Sequence, residues 1–189
     1  MRKVKAVVHT SLDGFVADKT GAFDELVQSP ENLDFVCSLT AEADTLLAGR
    51  VSFEMLDSYW PTAHQRPNVP ASESTYSQWY NSAEKIVLSH TLKRKTNDKL
   101  TILSENVQDH INHIKSKNGK DILLFGSPSV CRELIKLNLI DEFWIILYPV
   151  VLGDGISLFN EREGTIRLKC LNSTCFTKGE IAINYAVNY

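Results

Sequence analysis

Three places in the sequence set anion-binding chemistry at the end of an apolar run. Residues 121–125 lead directly into Gly126-Ser127-Pro128-Ser129. Ser127 suits an N-cap and Pro128 the first helical position, so a helix is expected to start there with its free amides and positive dipole end facing outward. Such an end holds a phosphate without a basic side chain, and Gly126 lets an anion approach the backbone closely. Residues 45–48 lead in the same way into Gly49-Arg50-Val51-Ser52-Phe53-Glu54, adding a guanidinium and a hydroxyl at a helix start. The third place, Ser89-His90-Thr91 followed by Lys93-Arg94-Lys95, puts hydroxyls beside cations, which suits the extra phosphate that separates NADP from NAD. Neither G-x-G-x-x-G nor G-x-x-x-x-G-K-[ST] occurs, so a standard dinucleotide fingerprint and an ATP-binding loop are both unsupported. Glycine after a strand is also ordinary turn punctuation, and each corner taken alone has that structural alternative.

Single side chains carry further chemistry, each against a plainer role. Asp13, beside Gly14, could orient a substrate or relay a proton, or shape its own loop as an Asx turn. Glu54 could reach a cofactor or substrate, or complement the positive start of its helix. Tyr59 and Trp60 could stack on a flat heterocycle or close a helix by packing. Asp34 reads as a solvated helix residue, His9 as a packed residue at the edge of the core, and His110 with His113 as a solvated pair lacking further metal ligands. No metal site is expected. The four cysteines, Cys37, Cys131, Cys170 and Cys175, read as buried small hydrophobes rather than a disulfide framework.

The elements that must position these residues alternate. Strands are expected at 4–10, 44–48, 85–89, 100–103, 121–125 and 143–151, with helices at 30–39, 51–59, 107–117 and 128–137. Unbroken apolar runs such as 45–48 and 122–125 suit strands covered on both faces. The last two runs, 166–176 and 181–187, flank Thr177-Lys178-Gly179-Glu180 and read as an antiparallel hairpin. The expected fold is therefore α/β, three-layered, with a mixed, mostly parallel sheet flanked by helices and finished by that hairpin. The stretch 60–82, with Pro61, Pro67 and Pro70, reads as a surface excursion inside a single domain spanning 1–189. A net charge of -3 argues against nucleic-acid or membrane partners, and no run is long enough for a signal peptide core or a bilayer span, so a cytoplasmic protein acting on a small molecule is expected.

As an ordered set, His9-Thr10-Ser11-Leu12-Asp13-Gly14-Phe15-Val16-Ala17-Asp18, the run 43–50, Leu123-Leu124-Phe125-Gly126-Ser127 and the segment 141–155 resemble the dihydrofolate reductase-like superfamily. More closely they resemble its branch related to the C-terminal reductase domain of bacterial riboflavin biosynthesis. The resemblance implies NADPH across the strand ends, with Gly49, Arg50 and Ser52 on its phosphates, Ser89 near the adenosine phosphate, and Gly126, Ser127, Ser129 and Val130 completing the pyrophosphate grip. It also implies a loop over nicotinamide and substrate, carried onto Ser11, Leu12, Asp13, Gly14 and Ala17. Family members often have Thr-Tyr where this chain has Ser52-Phe53, and a second glycine where it has Ser127.

The function this implies is NADPH-dependent hydride transfer to a C=N or C=O bond of a small heterocyclic or sugar-derived substrate, with Asp13, Glu54 and Trp60 among the residues facing it. A pterin or dihydrofolate reductase is the alternative, which a carboxylate in the first helix would favour; a non-catalytic nucleotide-binding module is another. A ribosyl-phosphate substrate would need a cluster of cations, and Arg66, Arg132, Lys136, Arg162 and Lys169 show none in sequence. A homodimer is expected through the apolar strand around Phe143-Trp144-Ile145-Ile146-Leu147 and the hairpin, pairing edge to edge.

Overall fold

The computed structural model describes residues 1–26, 29–159 and 164–189. One eight-stranded sheet runs through it: β1 (Val4–Thr10), β3 (Ala43–Gly49), β4 (Glu84–Leu88), β5 (Leu100–Leu103), β6 (Asp121–Phe125), β7 (Glu142–Leu147), β9 (Arg167–Cys175) and β10 (Ile181–Asn188). Their spatial order is β5-β4-β3-β6-β1-β7-β10-β9, and a two-stranded ribbon pairs β2 (Phe15–Ala17) with β8 (Ile156–Ser157). The first six in that order are mutually parallel, β10 joins antiparallel to β7 and β9 antiparallel to β10, as the apolar runs and the hairpin pattern predict.

Helices α1 (Pro30–Ala41), α2 (Arg50–Ala63) and α3 (Ala71–Ser82) cover one face, and α4 (Val107–Ser116) and α5 (Pro128–Lys136) the other. Alternate residues of each central strand divide between the two layers. Val7, Leu46, Ala48 and Leu123 meet Val36, Phe53, Tyr76 and Tyr80, whereas Val4, Ala6, Leu47 and Leu124 meet Ile111, Cys131 and Leu134.

Three expectations change. The stretch 60–82 is largely helical: α2 extends through Pro61, and α3 buries Tyr76, Ser77 and Tyr80. Ser77 locks the two helices, its hydroxyl donating to the Trp60 carbonyl at 2.5 Å and accepting from the His64 amide at 3.1 Å. β7 stops at Leu147 because Pro149 follows, and it is hydrogen-bonded to β1 on one side and β10 on the other. The strand around Phe143 is thus interior and has no free edge to offer a second copy; on that side of the sheet the free edge belongs to β9. Cys170 and Cys175 lie exposed on β9, so only Cys131 is a fully buried cysteine. Lys115 on α4 is buried and ion-pairs with Asp141 at 2.7 Å.

That pair belongs to a charged seam along the amino edge of the sheet. The buried Arg2 guanidinium ion-pairs with Asp44 and donates to the Thr45 hydroxyl at 2.5 Å and the Lys120 carbonyl at 2.5 Å. Lys3 meets Glu142 at 2.6 Å and Lys5 meets Asp121 at 2.7 Å. Asp141 also accepts the Val4 amide at 2.7 Å, so the strand ends are tied to one another by side chains.

Candidate functional site

The carboxyl edge of the parallel strands is where open α/β sheets receive ligands, and the predicted corners lie there side by side. β3 pairs with β6, Leu47 opposite Leu124, so Gly49 and Gly126 close adjacent strands. The two corners interlock. A Cβ on Gly49 would stand 2.3 Å from Ser127 Oγ, and one on Gly126 3.1 Å from Ser52 Oγ. Gly126 has φ 58 and Ser127 φ 55, a left-handed pair that turns the chain sharply into α5. Ser127 occupies the N-cap position as expected, but in this conformation its hydroxyl makes no cap bond and lies 3.2 Å from Ser129 Oγ instead. The first helical hydrogen bond runs from the Cys131 amide to the Ser127 carbonyl at 3.0 Å, which leaves the Ser129 and Val130 amides ahead of the ladder. The Val130 side chain is itself buried, so this residue offers a ligand only its backbone.

Arg50 stands at the start of α2, where its guanidinium pairs with Glu54 at 2.8 Å. Both are about half exposed, so Glu54 serves as a neutralising partner for the cation. Beside them, Thr91, Leu92, Lys93 and Arg94 complete a groove of about 570 Å³. Ser89 shapes this loop: its hydroxyl accepts the Thr91 and Leu92 amides at 3.0 and 2.9 Å. Arg94 is held by Asp57 at 2.5 Å and lies over the Phe53 ring, which leaves Lys93 as the exposed cation of the loop nearest the groove.

The loop after β1 is fastened rather than free. The Asp13 carboxylate accepts the Ser11 hydroxyl at 2.6 Å, the Leu152 amide at 3.1 Å and the Gly153 amide at 2.7 Å. The Ser11 hydroxyl first, and then the amides of Gly153 and Leu152, hold its carboxyl below the ordinary range, so it stays ionised at neutral pH. This is a latch between two loops. Ser11 also accepts the Phe15 amide, Leu12 is exposed at the tip, and Ala17 packs against Gly155, whose Cβ would meet the Ala17 carbonyl at 2.2 Å.

Two sequence candidates fall away from this edge. Trp60 sits roughly 16 Å along α2 from Gly49, wedged between Tyr59 and Tyr76 with ring centroids at 4.9 and 4.3 Å. It packs α2 on α3 and cannot line a substrate site at the opposite end of the helix. Asp34 is exposed on α1. The scattered cations stay scattered: Arg66 lies over the Tyr59 ring, Arg132 donates to the Ser157 carbonyl, Lys136 ends α5 and Lys169 lies on β9. Arg162 lies outside the described residues. Among the described residues no group of three or more His, Cys, Asp and Glu could hold a metal ion, and no helix is long and apolar enough to cross a membrane.

One cluster escaped the sequence reading. His9, Asn32, Tyr148 and Glu180 come from β1, α1, the residue after β7 and the residue before β10, and meet on the α1 side of the carboxyl edge. Tyr148 Oη lies 2.9 Å from His9 Nδ1 and accepts Asn32 Nδ2 at 2.8 Å. The residues span much of the chain, so no local motif could announce them.

Comparison with known proteins follows the same lines. A family model described as the RibD C-terminal domain matches residues 2–181. The uncharacterized protein YyaP of Bacillus subtilis (strain 168) is 32% identical over 187 residues, covering 99% of this chain and 96% of that protein. Among solved structures, a protein of Shewanella sp. PV-4 provisionally named for riboflavin biosynthesis superposes with a TM-score of 0.75 at 27% identity, covering 99% of each chain. A dihydrofolate reductase from Enterococcus faecalis, complexed with NADP(H), shares the fold with a TM-score of 0.64 at 15% identity, covering 99% of this chain and 97% of that one.

Proposed function

The chain belongs to the RibD C-terminal domain family, and from that premise we propose that it is an NADPH-dependent reductase transferring a hydride to a C=N or C=O bond of a small heterocyclic or sugar-derived substrate. The observation that carries this reading is the interlocked pair of corners. Gly49 and Gly126 bring two helix starts so close that a Cβ on either would fill the space between them. Two sets of leading amides on neighbouring strands suit a pyrophosphate, one phosphate to each. Gly49, Arg50 and Ser52 would hold one side, and Gly126 with the Ser127, Ser129 and Val130 amides the other.

The groove beside Arg50 accounts for the preference for NADPH. Ser89 keeps the loop in shape, and Lys93 would meet the adenosine phosphate. When bound, the nicotinamide supplies the hydride. The protein's part is orientation and exclusion of water. Ser11, Leu12 and Ala17 belong to the covering loop, and Asp13, ionised and latched to Leu152 and Gly153, holds that loop over the rim as a positioning residue.

The dihydrofolate alternative needs a carboxylate on α1 aimed at the site. The acidic residues described there do not supply it: Glu31 is taken by the Thr177 amide and hydroxyl at 2.8 and 2.7 Å, and Asp34 faces solvent. A small molecule is the partner in this reading, the compartment is the cytoplasm, and a homodimer would form through the exposed edge of β9 rather than β7.

A fluorescence titration of NADPH and NADH tests the proposal, with Arg50→Ala and Ser89→Ala beside the native chain. Tighter binding of NADPH, weakened in both variants, is the expected result. Absence of NADPH binding by the native chain would overturn the cofactor, and equal binding of the two nucleotides would overturn the phosphate preference.

A further inference from the structure

The cluster around Tyr148 has a direction. The Asn32 side-chain nitrogen can only donate, so the Tyr148 oxygen accepts from it; a His9 that accepts at Nδ1 then gives the tyrosine's own proton an acceptor, whereas the opposite tautomer would leave that proton without one among these contacts. An imidazole that accepts at Nδ1 and is neutral carries its proton on Nε2. In that arrangement the chain Asn32 to Tyr148 to His9 ends in an N–H donor.

Its place is as specific as its polarity. Val7 lies opposite Phe125 on β6, and the Gly126 amide approaches the Val7 carbonyl, so His9, two residues on in β1, stands near the Gly126-Ser127 corner. The side chain is surrounded deeply enough that burial alone pushes the imidazole down to about 4. It nevertheless keeps solvent-accessible surface. The ring is thus enclosed by the fold without being sealed from solvent.

The groups behind it are unusual for packing. Asn32 is fully buried with Oδ1 unpartnered, and Glu180, 2% exposed, has neither carboxylate oxygen hydrogen-bonded to the described residues. Unmet buried acceptors cost about 1 to 3 kcal/mol each, which a purely structural cluster rarely sustains. Burial first, and then Glu180, push the Tyr148 phenol up, so its proton is retained for His9.

We propose that His9 Nε2–H is the substrate-facing donor of this site, gripping the oxygen or nitrogen of the bond to be reduced, with Tyr148 and Asn32 as positioning residues that fix its tautomer. The role is a hydrogen bond, with no proton changing hands. It strengthens as negative charge gathers on that atom. The acceptors behind it disfavour an anionic edge, so the preferred substrate presents a neutral C=O or C=N group to His9. This inference rests on the reductase reading for its substrate, though not for the state of His9 itself.

Side-chain 15N NMR of the native chain, His9→Gln and Tyr148→Phe reads that state without any substrate. The expected spectrum assigns His9 as the neutral Nε2–H form near pH 6, and Tyr148→Phe mixes the tautomers. Alongside, NADPH oxidation is followed with cyclohexanone, a cyclic imine and a dihydropterin. His9→Phe is expected to lower kcat about a hundredfold with NADPH affinity within about twofold of native, His9→Gln to retain part of the rate, and Tyr148→Phe to lower kcat about tenfold with little change in KM. A proton on Nδ1, or undiminished turnover by His9→Phe, would overturn the proposal while leaving NADPH binding in place. Failure of the native chain to bind NADPH would overturn the reductase reading, with the tautomer still standing or falling on the spectrum.

Discussion

The two edges of the central sheet are built on opposite terms. At the amino edge, Arg2, Lys3, Lys5 and Lys115 each meet a carboxylate, and those carboxylates also take the Val4, Lys3 and Lys120 amides. At the carboxyl edge, glycines stand where side chains would fit badly, helix starts show their amides, and buried acceptors go unmet. Paired charge fixes the scaffold at one end, where Asn184 Oδ1 beside Glu142 is left unmet, and the unmet acceptors of Asn32 and Glu180 wait at the other. Stability and chemistry are thereby separated along the strand direction, a division that substitutions at each end can test.

The largest effect should come from the closed edge. Asp141→Ala strands the buried Lys115 ammonium and frees the Val4 amide, and should cost about 3 to 5 kcal/mol in urea unfolding while NADPH affinity stays within about twofold. A variant that loses cofactor affinity without losing stability would break the contrast. The open edge should reveal itself through pH. His9 is depressed from 6.5 to about 4 in the fold, so the unfolded chain takes up a proton first as the solution is acidified. Its contribution is fully present above pH 6.5, declines as pH falls toward 4, and levels off below; about 3 kcal/mol is at stake. Unfolding curves of His9→Gln between pH 7 and 4 should lack that part of the slope.

Gly49→Ala is next. Its methyl collides with Ser127 and weakens NADPH binding about tenfold, and Gly49→Ala combined with Ser127→Gly should recover most of the loss by relieving the contact. Lys93→Ala should be mildest, lowering affinity for NADPH about threefold and leaving NADH unchanged, which titration would separate.

What could be read from residues alone follows from how locally each feature is encoded. The strand-to-helix corners were legible because Gly49-Arg50 and Gly126-Ser127-Pro128 carry their turn chemistry within a few residues. The sheet was legible because buried parallel strands are unbroken apolar runs. α3 was not, since Pro67 and Pro70 precede it and its buried face is made of Tyr76, Ser77 and Tyr80, polar letters that pack through aromatic rings. Tyr76, Trp79 and Tyr80, at helical spacing, were the available signal. Trp60 misled for the converse reason: its type suited stacking, but only the helix length shows that it lies at the wrong end. His9 looked like a core residue because its partners are set by topology, and Asp13 looked catalytic because its acceptor geometry depends on Leu152 and Gly153, far along the chain.

The strand order also has a consequence for how the molecule comes into being. β1 is synthesised before the other strands of this sheet, yet its neighbours are β6 and β7, so the middle of the sheet closes only after the intervening elements have emerged. Until Glu142–Leu147 appears, the apolar Val4–Thr10 segment has one flank without a mate, and no local hairpin can shelter it. Nascent chains halted before that point should depend on a chaperone to stay apart, and the basic residues Lys3, just ahead of this early strand, and Lys5, within it, are placed to keep copies from sticking to one another while it waits.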